Sequence, residues 1–303
     1  MVGRWHTAAV DAADQLQMTG LPPVVLAFGG RVDAVLDRFL AERRAEVEGF
    51  DPAAGVLIDE LLRLLGAGGK RVRPACCYLG YRAAGGEDGE PIERAAAALE
   101  LLHTFALVHD DVMDDATERR GVASTQFRFA AELGWSSPAH GRSVAVLVGD
   151  LAAVLAESLL RSARFPHERL EVALDRFDRM RVEMAAGQYL DLLGAARRDL
   201  PAAEHVAELK TGSYTVEGPL LIGAALAGAG EELEEHLRAF GRPLGEAFQL
   251  RDDVLDHEGV SGAAERVGSL LGEALAVLDR AGLDPAVAAP LRALATSFRL
   301  PEV

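Results

Sequence analysis

The chain has almost no lysine. It carries 31 Lys and Arg residues, yet only Lys70 and Lys210 are lysine. A lysine is a compact point charge and an arginine a flat fork, so a chain that keeps lysine at two places marks both. Cysteine is as scarce: Cys76 and Cys77 are adjacent. Neighbouring cysteines pair poorly and no third is present, which excludes a disulfide framework within the chain. Two buried thiols in a reducing, cytoplasmic setting are expected instead. Aromatic residues make up 6% of a chain that is 50% hydrophobic. With Ala and Leu dominant, that composition suits packed helices rather than sheets, and no segment reads as a strand. No apolar run reaches the ~18 residues of a membrane span; the longest, 144–156 and 219–230, are short, and the first contains Asp150. The opening Met1-Val-Gly-Arg-Trp-His6 lacks the apolar core of a secretory leader. A basic surplus is also missing. The net charge of −16 excludes nucleic-acid binding through a basic face.

What is present is helical periodicity. Leu21-Pro22-Pro23 reads as a helix breaker, which makes residues 1–30 an irregular arm and residues 31–303 a single all-α domain. Val32, Val35, Leu36, Phe39 and Leu40 predict an amphipathic helix over 31–48. A second runs over 53–65 and stops at Gly66. Pro74 suits the first turn of a third, and a long helix begins near Ile92. Further helices are predicted over 144–160 (buried), 169–193, 216–226, 231–256 (kinked or broken at Pro243), 267–278 and 286–298. A break is expected at Lys210-Thr211-Gly212. The 216–226 stretch is rich in small residues that allow close helix approach.

The long helix ends in acid: Glu100-Leu-Leu-His-Thr-Phe-Ala-Leu-Val-His-Asp-Asp-Val-Met-Asp-Asp115. At about 100° per residue, Asp110, Asp111 and Asp114 share roughly a 100° arc with His103 and Leu107 below them. Three carboxylates on one face repel unless a cation lies between them. Acid is unfavourable at a helix C-terminus, so the run is not explained as a solvated end. A second copy, Phe248-Gln-Leu-Arg-Asp-Asp-Val-Leu-Asp256, puts Asp252, Asp253 and Asp256 on a face with Gln249. Both follow apolar segments. The pattern predicts two acidic helix ends across one cavity, with Mg²⁺ between them and phosphate as counter-ligand. Mg²⁺ takes hard oxygen ligands, one or two carboxylates plus phosphate oxygens. Asp110 and Asp114, one turn apart, and Asp252 are the candidate ligands. Asp111 is a weaker candidate, and Asp253 and Asp256 support Asp252.

These motifs resemble those of the trans-isoprenyl diphosphate synthases, the all-helical polyprenyl synthetase family. The resemblance rests on Asp110-Asp-Val-Met-Asp114 followed by Arg119-Arg120-Gly121, on Asp252 to Asp256, and on Gly69-Lys70-Arg71-Val72-Arg73-Pro74, and covers roughly residues 30 to 300. It implies a helical bundle around a deep cavity, a homodimer, and head-to-tail condensation of isopentenyl diphosphate with an allylic diphosphate. It implies Mg²⁺, three ions with substrate bound, with Mn²⁺ able to substitute. It places Lys70, Arg73, His103 and Arg120 on isopentenyl diphosphate, and Arg119, Lys210, Phe248 and Gln249 on the allylic side, with Thr211 backing the cation. Phe105, five residues before Asp110, and Ala106, four before, are the candidate floor of the product cavity. An aromatic at the fifth position without an insertion in the motif goes with a medium-length product: C20 is expected, then C15. On an ideal helix Phe105 points off the aspartate face and Ala106 nearer to it, so Leu102, a neighbouring helix or a second subunit are alternative floors. Asp150, Gln188 and Asp191 either line the cavity or hydrogen-bond within it.

The chain departs from the family after the second motif. Asp256-His-Glu-Gly-Val-Ser-Gly-Ala-Ala-Glu265 has no lysine and is short. Either part of a lid is lost or a loop is omitted; ordinary helix text on both sides favours the second. Two other functions compete. A class I terpene cyclase would replace the second motif with an Asn-Ser-Glu type triad and would not need Lys70, Arg73 and His103. A non-catalytic subunit of a heteromeric synthase would tend to lose an aspartate motif, and only the short loop favours it.

Overall fold

A computed structural model describes residues 21–132, 138–196, 208–255 and 262–300; the side chains of 132, 138, 194–196, 208–212 and 253 lie outside that description. Its described residues form eleven α-helices: α1 (Pro23–Phe50), α2 (Val56–Gly66), α3 (Val72–Ala83), α4 (Glu90–Met113), α5 (Thr125–Glu132), α6 (Pro138–Arg161), α7 (His167–Ala196), α8 (Gly218–Ala227), α9 (Glu231–Leu255), α10 (Ala263–Arg280) and α11 (Pro285–Ser297). A 3₁₀ turn, Pro52–Gly55, precedes α2, and a π-helical stretch, Glu208–Glu217, leads into α8. The described residues divide into two compact units: those within 30–71 and 97–162, and those within 21–29, 72–96 and from 163 onward.

Several local expectations change. The proline pair opens a helix instead of breaking one: the Pro22 carbonyl accepts from Val25 N at 2.9 Å and Leu26 N at 3.2 Å, and Pro23 supplies a pre-set φ at the first position. Residues 23–30 are therefore helical. Residues 118–123, expected to hold no strand, form a hairpin of β1 (Glu118–Arg119) and β2 (Val122–Ala123), antiparallel, with Arg119 opposite Val122. Its turn residues Arg120 and Gly121 both have positive φ, 53° and 72°, the signature of a type I′ turn. α9 runs unbroken through Pro243. Where a break was expected at Lys210, the backbone widens into the π-helical stretch, a form concentrated at functional sites.

In the first unit, α1, α2 and α4 contribute Val32, Leu36, Leu40, Ile58, Leu61, Leu101 and Leu102, each at most 2% exposed. Glu60 on α2 is fully buried among them. It is held by Arg63 (2.6 and 2.8 Å), by Arg128 of α5 and by the Thr125 hydroxyl at 2.8 Å. Arg63 also donates to the Ala123 carbonyl at 2.9 Å, which pins the hairpin. α6, expected to be buried, is only partly so: Val146, Leu147 and Val154 are 41%, 55% and 65% exposed. By length and composition residues 139–161 would also pass for a membrane span, the one such helix among the described residues; half of its apolar window is buried within the protein.

In the second unit α8 is the central helix, with Pro219 to Leu226 all buried. A helix apolar all round belongs inside. Its crossing with α3 depends on two glycines: a methyl group on Gly223 would overlap the Cys77 carbonyl, and one on Gly80 would overlap the Leu220 carbonyl. Cys76 and Cys77 are buried beside this crossing and are not bonded to each other. Burial pushes the Cys76 thiol up to about 12 and raises that of Cys77 as well. Because the clash is with backbone, Gly223→Ala is expected to destabilise the fold by at least about 1–3 kcal/mol, the usual cost of overpacking. Thermal denaturation checks this; an unchanged Tm would show that the helices separate at little cost.

Candidate active site

The acidic end of α4 is sorted by one neighbour. The Asp111 side chain is 4% exposed and lies 2.6–2.7 Å from Arg119, whose Nε and Nη2 both approach Oδ1. Asp110 Oδ2 lies 3.5 Å from Arg119 Nη2. Burial pushes the Asp111 carboxyl above the usual carboxylate range, and the Arg119 guanidinium pulls against that rise. Gln126 of α5 donates to the carbonyls of Asp111 (2.9 Å) and Ala116 (3.2 Å), which satisfies acceptors that a helix end leaves open. Asp111 thus turns inward, while Asp110 is half-buried and Asp114 exposed.

The same hairpin reaches the lysine loop. Arg120 Nη1 donates to the Gly68 carbonyl at 2.5 Å, two residues before Lys70. A cavity of about 20 Å³ lies among Thr104, Leu107, Asp111, Arg119 and Arg120, room for about one water. His103 is half-buried, two turns before Asp110. Phe105 and Ala106 are both half-buried, and the Phe105 ring meets His109 edge-on at 4.8 Å. His109 fits a notch at Gly149, where any side chain would overlap its ring, and lies 3.2 Å from the Val146 carbonyl and 3.7 Å from Asp150. Asp150 is thereby placed beside the first motif. Within this unit, then, the structure brings together Asp110, Asp111, Arg119 and Arg120 with the loop of Lys70.

In the second unit Arg73 donates to the Thr215 hydroxyl at 2.8 Å and lies over the Tyr214 ring at 4.4 Å; an arginine has five donors, so this leaves others for a ligand. Asp252 lies 3.6 Å from Arg251, whose guanidinium is pulled down by burial. Gln249 is half-buried. Phe248, expected on the substrate, is 6% exposed and packs edge-on at 5.0 Å against Phe298, the residue that follows α11. The backbone of Lys210 and Thr211 belongs to the π-helical stretch, and their side chains, with that of Asp253 and all of Asp256, lie outside the described residues. A cavity of about 600 Å³ in this unit is lined by Arg176, Arg179, Arg238 and Arg242 with Asp175, Glu183 and Glu217. It contains none of the predicted residues and is largely self-neutralised: Arg242 and Arg238 lie 3.1 and 3.5 Å from Glu217, and Arg179 2.9 Å from Glu183.

Among the described residues no three His, Cys, Asp or Glu side chains are gathered to hold an ion. At α4, Asp111 pairs with Arg119 at 2.6 Å, and Asp110 and Asp114 stand one turn apart beside it. Two carboxylates one turn apart fit Mg²⁺, which takes few protein ligands and completes its shell with water and substrate phosphate.

The polyprenyl synthetase family model matches residues 56–269. The chain belongs to the polyprenyl synthetase family. Among its relatives, a geranylgeranyl diphosphate synthase of Methanosarcina mazei is 34% identical over 74% of this chain and 63% of its own length. A geranylfarnesyl diphosphate synthase of Aeropyrum pernix is 36% identical over 64% of this chain and 59% of its own. The chain thus spans less than two thirds of either relative. A solved geranylgeranyl pyrophosphate synthase of Corynebacterium glutamicum, complexed with isoprenyl diphosphate and magnesium, superposes with a TM-score of 0.83 at 27% identity, over 89% of this chain and 98% of that one. The polyprenyl synthetase motifs are therefore legible in the first unit as a connected device. Gln126, Glu60 and Gly149, which support it, carry no motif; only their burial in the folded chain marks them.

Arg119→Ala would leave Asp111 buried without its partner. Removing one member of a buried pair costs about 3–5 kcal/mol; with Arg119 itself 31% exposed, the lower end is expected. The loss should also depend on pH. Without Arg119 the folded-state value of Asp111 rises further above the unfolded one, so the folded form binds the proton more tightly. Its contribution is present below the ordinary carboxylate range and is lost as pH rises through the raised value. Denaturation of the variant from pH 5 to pH 8 should show a widening deficit against wild type; a constant deficit would count against the ion pair.

Proposed function

We propose that this polyprenyl synthetase is a trans-prenyltransferase that condenses isopentenyl diphosphate head-to-tail with an allylic diphosphate. The observation that carries the reading is the hairpin of Arg119 and Arg120: one arginine grips the first aspartate motif, the next grips the Lys70 loop. A metal-facing acid end and a cationic loop are thereby built into one frame, the pairing that two diphosphates require. Residues 31–303 are proposed as a single catalytic domain.

Asp110 and Asp114, with Asp252 of the second motif, would hold Mg²⁺, and Mn²⁺ in its place; when bound, the metal withdraws charge from the leaving diphosphate as a Lewis acid. Asp111, locked by Arg119, keeps the motif's geometry. Lys70, His103 and Arg120 hold isopentenyl diphosphate from the first unit, with Arg73 contributing after or alongside its bond to Thr215. Lys210 and Gln249 hold the allylic diphosphate, and Thr211 backs the allylic cation. The double bond of isopentenyl diphosphate attacks that cation and a proton is lost to the released pyrophosphate, so no dedicated protein base is needed. The product is a medium-chain all-trans prenyl diphosphate, C20 before C15, with Phe105 and Ala106 at the cavity floor. Exposed Val146, Leu147 and Val154 on α6 suit the face of a homodimer, and the paired reduced cysteines suit the cytoplasm.

Incubation with Mg²⁺, isopentenyl diphosphate and each allylic starter, followed by product chromatography, tests the reading. Geranylgeranyl diphosphate is the expected product. Asp110→Ala and Asp252→Ala should each lower kcat by orders of magnitude in a folded protein. Undiminished turnover in EDTA, or cyclised hydrocarbons as products, would overturn it.

A further inference from the structure

The loop from Gly68 to Arg71 is held in an unusual backbone state. Gly68 and Gly69 have φ of 101° and 150°, and Arg71 has φ of 48°. A non-glycine residue in that region is disfavoured and persists where its surroundings over-determine it. Here they do. Arg71 is 8% exposed and uses its whole fork: Nε to Asp33 at 2.8 Å, Nη1 to Glu100 at 2.6 Å, Nη2 to the Leu65 carbonyl at 2.9 Å. Glu100 is 3% exposed, so the pair is buried at α4 while Asp33 ties it to α1.

A second arginine holds the loop as well. A methyl group on Gly69 would lie 2.9 Å from Arg71 Nη1 and 3.0 Å from Arg120 Nη1, and Arg120 holds the Gly68 carbonyl. The backbone before Lys70 therefore lies against two guanidinium groups, with no room for a side chain at Gly69. Glu100 lies one turn before His103 on α4, so one anchor connects the lysine loop to the helix face that carries His103. A flexible lysine on a glycine loop would lose much of its binding free energy to ordering; a loop already fixed does not.

We infer that Arg71 is a positioning residue: through Asp33, Glu100 and the Leu65 carbonyl it fixes the loop that presents Lys70, with Arg120, to isopentenyl diphosphate. The inference rests on the function proposed above. Lysine cannot replace this arginine, because a single ammonium does not span three acceptors in a plane.

Two variants test it. Asp33→Asn removes the charge of the half-exposed partner and spares the buried pair. Arg71→Met/Glu100→Met removes both buried charges together, a change that leaves stability near wild type. Kd for isopentenyl diphosphate by calorimetry and KM for both substrates are measured on each. The expected result is a rise in Kd and KM for isopentenyl diphosphate of roughly threefold for Asp33→Asn and roughly tenfold or more for the double variant, in line with lost charge-assisted hydrogen bonds. KM for the allylic starter should stay within about twofold of wild type. Unchanged isopentenyl diphosphate binding in a folded double variant, or equal rises for both substrates, would overturn the inference. If wild type binds isopentenyl diphosphate but forms no prenyl product, the proposed reaction fails while the Kd comparison still decides the role of Arg71.

Discussion

The contact between Arg119 and Asp111 sets the chemistry of the first motif. Three carboxylates at the end of a helix, where the dipole already repels anions, would be electrostatically unstable as a set. One of them is drawn inward and paired with Arg119, so the motif holds three unequal acids: Asp111 buried, Asp110 half-buried and Asp114 exposed. The guanidinium comes from a tight hairpin, and the following residue of that hairpin binds the lysine loop. Removing the ion pair would leave the hairpin bound to the lysine loop but not to the Asp111 carboxylate.

The scarcity of lysine has a structural counterpart. Glu60, Glu100, Asp111 and Glu217 are all buried carboxylates, and each is met by arginine: Arg63 and Arg128, Arg71, Arg119, and Arg242 with Arg238. Burying a charge is tolerable only when it is paired and its hydrogen bonds are made. A planar fork does this for a carboxylate while also reaching a backbone carbonyl, as Arg63 and Arg71 do. In an acidic chain this use consumes arginines as scaffold and leaves the two lysines for other work.

Much of this was legible before the fold was known, because the features concerned are local. Helix existence followed from apolar period, and the aspartate runs and Arg119-Arg120-Gly121 stood out as strings. What escaped reading depends on tertiary placement. Leu21-Pro22-Pro23 looks the same whether prolines end a helix or begin one; the carbonyl of Pro22 decides. Phe248 sits beside a motif residue, and its ring contact with the distant Phe298 is recorded in no local spacing. Nothing in the sequence singles out Glu60 and Arg63, and Arg71 stands in the Gly69–Pro74 motif with no role assigned to it. Their burial is a property of what packs over them, and no spacing within the string records it.

The pair of cysteines at the α3–α8 crossing has a practical consequence. Both thiols are closed off and held in their protonated form by burial, and the thiolate is the reactive species. Neither will react with an alkylating dye while the crossing is intact, and both become reactive once those two helices separate. The chain thus carries its own reporter of opening in the second unit, read by the rate of dye uptake and without any added label.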